Sequence, residues 1–424
     1  MKKLFKKVIS AAVAASMAFA LSACGGSSGA ASAPSQAPDG GTDSGAATAE
    51  AEGSPAPAAS GATIKIGGSG PLTGPAAVYG NAVKAAAELA VEEVNAKGGL
   101  QFELRFEDDA HDAEKAVTAY GVLKDWGMQA SLATVTSAPG AAVSQMYQDD
   151  SIFAISPSGS SLAVIYADPD NSANPYGNVF QMCFTDPNQG IASADYLAAH
   201  TDIGSKIAII YKNDDNYSTG IYTKFKSEAD AKGLEIVYEG TFDDSNAQDF
   251  SVQLGKAQSA GADIVYLPIY YDPASLILTQ ANQMGYKPVF FGVDGMDGIL
   301  TLEGFDTSLA EGVYLLTPFS ADASDDLTKN FVENYKARMN GEIPNQFAAD
   351  AYDCIYSLHQ AAEAAGVTAD MSSADICEAL KGQFTSMTFN GLTGQNVTWS
   401  ESGEVSKSPK AVIIKDGAYV GVED

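Results

Sequence analysis

Between Ile64 and Gly295 the chain repeats one pattern: a short run rich in valine and isoleucine, an amphipathic stretch, then glycine or a polar turn. "TIKIGGSGPLTG" leads into "AAVYGNAVKAAAELAVEEVNAKGG", "LQFELRFEDDA" into "AEKAVTAYGVLKDWG", and "ASLATVTSA" into "GAAVSQMYQDD" and then "SIFAISPSG". The series resumes with "KIAIIYKND", "LEIVYEGTF", "ADIVYLPIYY" and "PVFFGVDG", separated by helical segments such as "GIYTKFKSEADAKG" and "PASLILTQANQMG". Strands joined through helices must run parallel, and their apolar sides require cover on both faces. Glycines placed after the last periodic residue, as at Gly98 and Gly99, close the helices. Two successive series of this size predict an α/β protein of two doubly wound lobes with parallel central sheets. In such sheets ligands bind beyond the carboxyl ends of the strands, so the loops that follow the strands are where chemistry is expected.

The N-terminus reads differently. "MKKLFKKVISAAVAASMAFALSAC" begins with four lysines and no acid, followed by an apolar run of signal-peptide length. That run is too short and too alanine-rich for a spanning helix. "LSAC" resembles the lipobox of bacterial lipoproteins, which implies a signal peptide over 1–23, cleavage before Cys24 and lipid attachment to its thiol. Buried acyl chains contribute about 0.8 kcal/mol per CH2, enough for stable anchoring when several chains are carried. Residues 24–62 are almost wholly small and polar, with Asp39, Asp43, Glu50 and Glu52 as the only charges. Such a segment cannot offset its ordering entropy by burial, so a disordered tether is expected, with an r.m.s. reach of roughly 30 Å.

About 360 residues remain from Thr63 onward, enough for two ordinary cores. The formal charge is −29, and the leader lysines contribute +4, so the remainder stands near −33. A surface so acidic argues against nucleic-acid binding. Beyond Cys24 the cysteines are Cys183, Cys354 and Cys377, too few for a disulfide framework. Cys354 and Cys377 could pair or remain separate buried thiols. The three histidines, His111, His200 and His359, are far apart and outside any zinc-ligand spacing. Neither a serine-nucleophile elbow nor a base to activate one is legible, so neither an enzyme nor a cofactor is expected. The acidic runs "NDDN" and "FEDDAHDAE" lack the EF-hand pattern and read as solvated loops.

The loops at predicted strand ends are "SGPLTGPAAVYGN", "TVTSAPG", "ISPSGSS", "YKNDDNYSTG", "YLPIYYDP" and "FGVDGMDG". They carry hydroxyls, glycines, tyrosines and carboxylates but almost no basic side chains. Hydroxyls and backbone N–H groups at a helix start can hold a carboxylate. An aspartate in a largely uncharged cleft can hold an ammonium, and tyrosines supply apolar walls with a polar tip. Together these groups suit a zwitterion.

The stretches "SGPLTGPAAVYGNAVKAAAELAVEEVNAKGGL", "MYQDDSIFAISPSGSS" and "IVYLPIYYDPASLILTQANQMG" resemble the branched-chain amino-acid-binding family of ABC-importer substrate-binding proteins. The resemblance runs from Thr63 to about Asp424. It implies the type I periplasmic-binding-protein fold, two lobes joined by three crossovers, with one lobe at 63–185 and 317–409 and the other at 186–316 and 410–424. Carried over residue by residue, it implies Tyr79 as the first-loop aromatic and Ser137 as the serine on the ligand carboxylate. Ser158 would present a carbonyl to the ammonium, with the hydroxyl of Ser160 beside it. Tyr217 and Tyr270 would close over the ligand from the second lobe, Asp294 would pair with the ammonium, and Phe347 would form an aromatic wall. The best-known members carry a glutamate where this chain has Asp294, and the cysteine pair of Gram-negative members is missing around Thr136. Tyr147, Tyr266 and Tyr271 read as packing residues. The implied partners are an amino acid or similar small ligand, a membrane permease with its ATPase subunits, and the membrane itself through Cys24. The same fold bearing an amide or a small carboxylic or aromatic acid, or acting as a sensor for a signalling receptor, is the alternative.

Overall fold

The computed structural model describes residues 63–422; Cys24, the leader and the tether lie outside the described residues. The first half-series runs β1 (Ile64–Gly70), α1 (Ala77–Ala96), β2 (Phe102–Asp108), α2 (Ala113–Trp126), β3 (Ala130–Thr134), α3 (Ser137–Asp149) and β4 (Phe153–Ser156). A small antiparallel hairpin, β5 (Tyr166–Asp168) and β6 (Ala173–Pro175), precedes β7 (Val179–Gln181). These strands form a five-stranded sheet in the order β2-β1-β3-β4-β7, parallel throughout.

The chain then passes to a second sheet. Its elements are α4 (Asp186–Ala199), β8 (Lys206–Lys212), α5 (Asn216–Lys232), β9 (Glu235–Phe242), α6 (Ser251–Ser259), β10 (Ile264–Leu267), α7 (Tyr271–Met284), β11 (Val289–Gly292) and β12 (Tyr314–Thr317). After β12 the chain supplies α8 (Asp326–Arg338), α9 (Gln346–Ala364) and α10 (Ser373–Phe384), of which α9 packs on α1 and α10 on β4 of the first sheet. It returns as β13 (Lys410–Lys415), antiparallel to β12, and β14 (Ala418–Gly421), antiparallel to β13. The second sheet therefore has seven strands in the order β14-β13-β12-β11-β10-β8-β9.

Local chemistry explains where these elements start and stop. Asp112, Asp215, Asp325, Asn345 and Ser372 each accept a backbone N–H of the first turn that follows, which satisfies one of the orphan donors there. Helix α1 ends before Gly98 and Gly99, whose φ angles of +76° and +84° an L-residue adopts only at a cost. Its inner face, including Val83, Ala86, Ala90 and Val94, is wholly buried against the first sheet and α9. Burial of each larger side chain contributes roughly 1.5–3 kcal/mol.

A C-terminal segment without regular structure is pinned in two ways. Trp399 donates its indole N–H to the Gln181 carbonyl at 2.8 Å and sits edge-on to Phe384 at 4.8 Å. Lys407, 6 % exposed, places Nζ 2.6 Å from Asp350 Oδ1 on α9, and the adjacent Asp353 accepts the amides of Leu392 and Thr393 at 2.9 Å. Cys183, Cys354 and Cys377 are all buried free thiols, so Cys354 and Cys377 do not pair. Tyr147 and Tyr266 are buried with their hydroxyls on Ser131 and Ser193.

Candidate functional site

Loops from both sheets converge on one small cavity. Val135, Thr136 and Ser158 approach from the carboxyl ends of β3 and β4, Tyr79 from α1, and Phe347 from the first turn of α9. Tyr217, Tyr270, Asp294 and Gly295 approach from the strand ends of the second sheet. Six of the residues singled out from sequence thus meet here: Tyr79, Ser158, Tyr217, Tyr270, Asp294 and Phe347. They come from positions as much as 268 residues apart.

The rings form a closed set. Tyr217 and Tyr270 stack with centroids 4.5 Å apart and planes 9° apart. Tyr79 meets Phe347 edge-to-face at 4.7 Å and Tyr271 at 4.8 Å. The Tyr79 hydroxyl donates to the Gly295 carbonyl and accepts the Tyr271 amide at 3.3 Å, so this residue of the first half of the chain is fastened to the second. The free volume left between the rings is about 10 Å³. That is room for no more than about one water, so a ligand of any size enters only if the rings part.

Asp294 opens a short 3-10 turn after β11 and is 2 % exposed. Its Oδ1 accepts the Tyr217 hydroxyl at 2.6 Å, and its amide donates to Gln189 Oε1 at 3.2 Å. The Tyr217 hydroxyl in turn accepts the Gly295 amide at 2.8 Å. Only glycine fits at 295: a Cβ there would lie 2.5 Å from the Tyr217 hydroxyl oxygen. Burial is the main cause that pushes the Asp294 carboxyl up to about 7, with the hydrogen bonds from Tyr217 and Gln189 working against it.

Two further buried acids stand close by. Asp215 caps α5 and is pushed up to about 6 by burial. Asp186, at the start of α4, is 1 % exposed, and neither carboxylate oxygen has a hydrogen-bond partner among the described residues. Burial raises its pKa well above the ordinary carboxylate value, and the charge of Asp294 raises it further. The carboxylate packs against Gly220 of α5, where a Cβ would come within 2.9 Å of Oδ2. It also borders a polar chamber of about 580 Å³ between the loop after β4 and α5, lined among others by Ser161, Ser172, Asn216 and Lys224. None of the three acids forms an ion pair among the described residues, although Lys212, paired with Asp214 and Asp244, lowers the Asp215 value in part.

The serines divide. Ser158 lines the cavity and donates its hydroxyl to the Val135 carbonyl at 2.6 Å. Ser137 and Ser160 are buried one step behind the wall: Ser137 Oγ accepts the Ser161 amide at 3.2 Å, and the Ser160 carbonyl accepts the Asp186 amide at 3.0 Å. The wall itself is formed by Thr136, the cap of α3, whose side chain makes no capping bond to that helix. The first amides of α3 thus begin beside the cavity. Thr136 Oγ1 lies 2.9 Å from Nδ1 of His111, whose ring stands edge-on to Tyr270 at 5.4 Å.

Sequence reasoning overlooked Asp186, Gln189, Thr136 and His111. "TDPNQG" does carry a readable signal, an acid and a proline in the first turn of a helix, but that signal is one of capping rather than of burial.

Comparison with known proteins accords with this architecture. A protein-family model described as periplasmic binding protein matches residues 63–418. A Leu/Ile/Val-binding protein homologue of Brucella melitensis is 30% identical over 368 residues, covering 85% of this chain and 94% of the relative. The leucine-, isoleucine-, valine-, threonine- and alanine-binding protein of Pseudomonas aeruginosa is 27% identical over 347 residues, 81% of this chain and 87% of that one. Among solved structures, the branched-chain amino-acid transporter substrate-binding protein of Streptococcus pneumoniae in complex with isoleucine superposes with a TM-score of 0.74 at 26% identity, covering 85% of this chain and all of that one. A leucine-binding protein of Thermotoga maritima superposes with a TM-score of 0.73 at 27% identity, covering 85% and 98%. With two lobes of parallel sheet, a site at their facing strand ends and a family match that spans all but a few of the described residues, this chain belongs to the periplasmic binding protein family and has its type I fold.

Proposed function

We propose that this chain is the extracytoplasmic substrate-binding component of an ABC importer and binds an amino acid, branched-chain or similar, between its lobes. The single observation that carries the reading is the set of buried acids at the cleft, Asp294, Asp186 and Asp215, none of which forms an ion pair among the described residues. A buried carboxylate without a counter-charge is costly, and a ligand ammonium offsets that cost. The aromatic walls provide for an apolar side chain. Thr136 and the first amides of α3 provide donors for a carboxylate. Names of relatives that bind leucine, isoleucine and valine favour the same class.

The lobe boundaries, 63–185 with 317–409 and 186–316 with 410–424, are part of this proposal. Membership of the strands in the two sheets supports them. The rings at the site leave so little space that entry requires the lobes or the rings to separate, and a ligand that touches both sides favours closure. In the proposed cycle the closed form delivers its ligand to a permease, and Cys24 carries the lipid that keeps the protein at the membrane. No helix among the described residues is long and apolar enough to cross one.

Calorimetry with leucine, its deaminated acid and its decarboxylated amine tests the binding reading. Binding of the deaminated acid as tightly as leucine would overturn the ammonium role and shift the reading to carboxylic acids. For the anchor, Cys24→Ala should release the protein from membranes with ligand binding intact; equal detergent-phase partitioning of both forms would refute it.

A further inference from the structure

The turn that brings Asp294 to the first cavity also walls off a second. Asp294, Gly295 and Phe347 face the small cavity, whereas Asp297, Gly298 and Asn345 line another, larger one. The two share a partition one turn thick: the Asp297 amide donates to the Asp294 carbonyl at 2.8 Å, and the Gln346 amide donates to Asp297 Oδ2 at 2.8 Å. The second cavity has a volume of about 380 Å³. Small-molecule pockets run from roughly 300 to 1,000 Å³.

Its walls are mostly apolar, formed by Leu300, Phe319, Ala321, Val332, Ile343 and Pro344. Ile343 stands 56 % exposed. Against this apolar lining is one buried carboxylate. Asp297 is 3 % exposed, and its Oδ1 has no hydrogen-bond partner among the described residues. The Tyr419 hydroxyl borders the same space and accepts the Gly298 amide at 3.0 Å. Lys336, in the last turn of α8, also lines the cavity, is exposed and forms no ion pair among the described residues. Asp322 lies there too, with its carboxylate engaged by the Ser320 hydroxyl.

We propose that this cavity is a second small-molecule site, for an apolar zwitterion whose ammonium meets Asp297, whose carboxylate meets Lys336 and whose body lies along Leu300, Phe319 and Val332. An apolar acid would leave the buried Asp297 oxygen unpaired, and an apolar amine would forgo the modest attraction of the exposed Lys336 for a carboxylate. A zwitterion satisfies both. The residues are distinct from those of the first cavity, so the assignment stands whichever ligand the first cavity takes.

The test is a titration of the full chain, isotope-labelled at isoleucine, leucine and valine methyls, with L-leucine, 3-methylbutylamine and 4-methylpentanoate in turn. The methyl signals of Leu300, Val332 and Ile343 report on this cavity and on no residue that lines the first. Leucine should shift them saturably and at lower concentration than either one-charged analogue. Lys336→Gln, at an exposed position, should weaken leucine and 4-methylpentanoate by about two- to fivefold and leave the amine unchanged. Asp297→Asn should weaken leucine and the amine by about ten- to a hundredfold and spare the acid. Because Asp297 also holds the Gln346 amide, Lys336→Gln is the variant whose fold is secure. Three results would each overturn the proposal: no saturable shift with any probe at about 10 mM, equal binding of all three probes, or a Lys336→Gln protein that treats acid and amine alike.

Discussion

Ligand binding by this protein should be linked to protons through Asp294. The unliganded carboxyl sits at about 7 because it is buried, and the charge of Asp350 adds to the shift. A ligand ammonium needs the ionised form. At pH 8 a group with a pKa of about 7 is almost wholly ionised, and at pH 6 only about a tenth of it is, so affinity for an α-amino acid should fall about tenfold between them. Binding at pH 6 should release close to one proton, visible in calorimetry as a heat that changes between buffers of different ionisation enthalpy. Asp186 and Asp215, both raised by burial, lie near enough to steepen the dependence but not to reverse it. Asp294→Asn should flatten the profile and lower affinity at pH 8 by roughly ten- to a hundredfold, the worth of a hydrogen bond to a charged group. A wild-type affinity constant from pH 6 to 8, or an Asp294→Asn protein that keeps the full slope, would refute the assignment of this proton to Asp294.

The other expectations rest on packing and charge. Gly295→Ala would drive a Cβ to 2.5 Å from the Tyr217 hydroxyl oxygen, so it should cost about 1–3 kcal/mol of stability and weaken ligand binding together, measured by denaturant melts and calorimetry. Lys407→Met removes the cation from Asp350 and Asp353, both buried, and should destabilise the protein by roughly 3–5 kcal/mol in urea unfolding. A loss below about 1 kcal/mol would mean that the pair is dispensable. Without ligand, stability should fall as pH rises from about 4 to 7. Asp109, Asp215, Asp294, Asp297 and Asp350 have folded-state pKa values of about 6 to 7, above their unfolded values near 3.9. The native state therefore binds more protons in that window, and deprotonation favours unfolding. A melting temperature that climbs from pH 5 to 8 would contradict this.

Much of the architecture was legible because it is written in local interactions. Helix caps such as Asp112 and Asp215 and the closing glycines after α1 act within a few residues. The alternation of apolar strands with amphipathic helices leaves parallel, covered sheets as the way to bury both. The loops worth examining followed from that geometry, and the resemblance to a known family named Tyr79, Tyr217, Tyr270 and Asp294 within them and Phe347 outside them. The antiparallel return of β13 onto β12, with β14 folded back on β13, was less visible, since a short apolar strand carries no mark of the direction of its partner.

What the sequence could not decide is which side chain of each loop turns toward the cleft. Thr136 and Ser158 line the cavity while Ser137 and Ser160 do not: the Ser137 hydroxyl is turned to the Ser161 amide, a partner 24 residues on that only the fold supplies. Asp186 reads along the chain as an ordinary first-turn acid. In the fold α5 brings Gly220 against it, 34 residues away, with no Cβ to keep the helix back. The perturbed acidity of Asp294 has the same origin. Its carboxyl is an ordinary one by sequence, and only the packing of Tyr217, Gln189 and the facing lobe excludes water from it. Periodicity and capping are properties of neighbouring residues and survive in a one-dimensional reading. Burial and electrostatic coupling arise between residues that become neighbours only when the sheets assemble, and that assembly is what places three acids at one cleft.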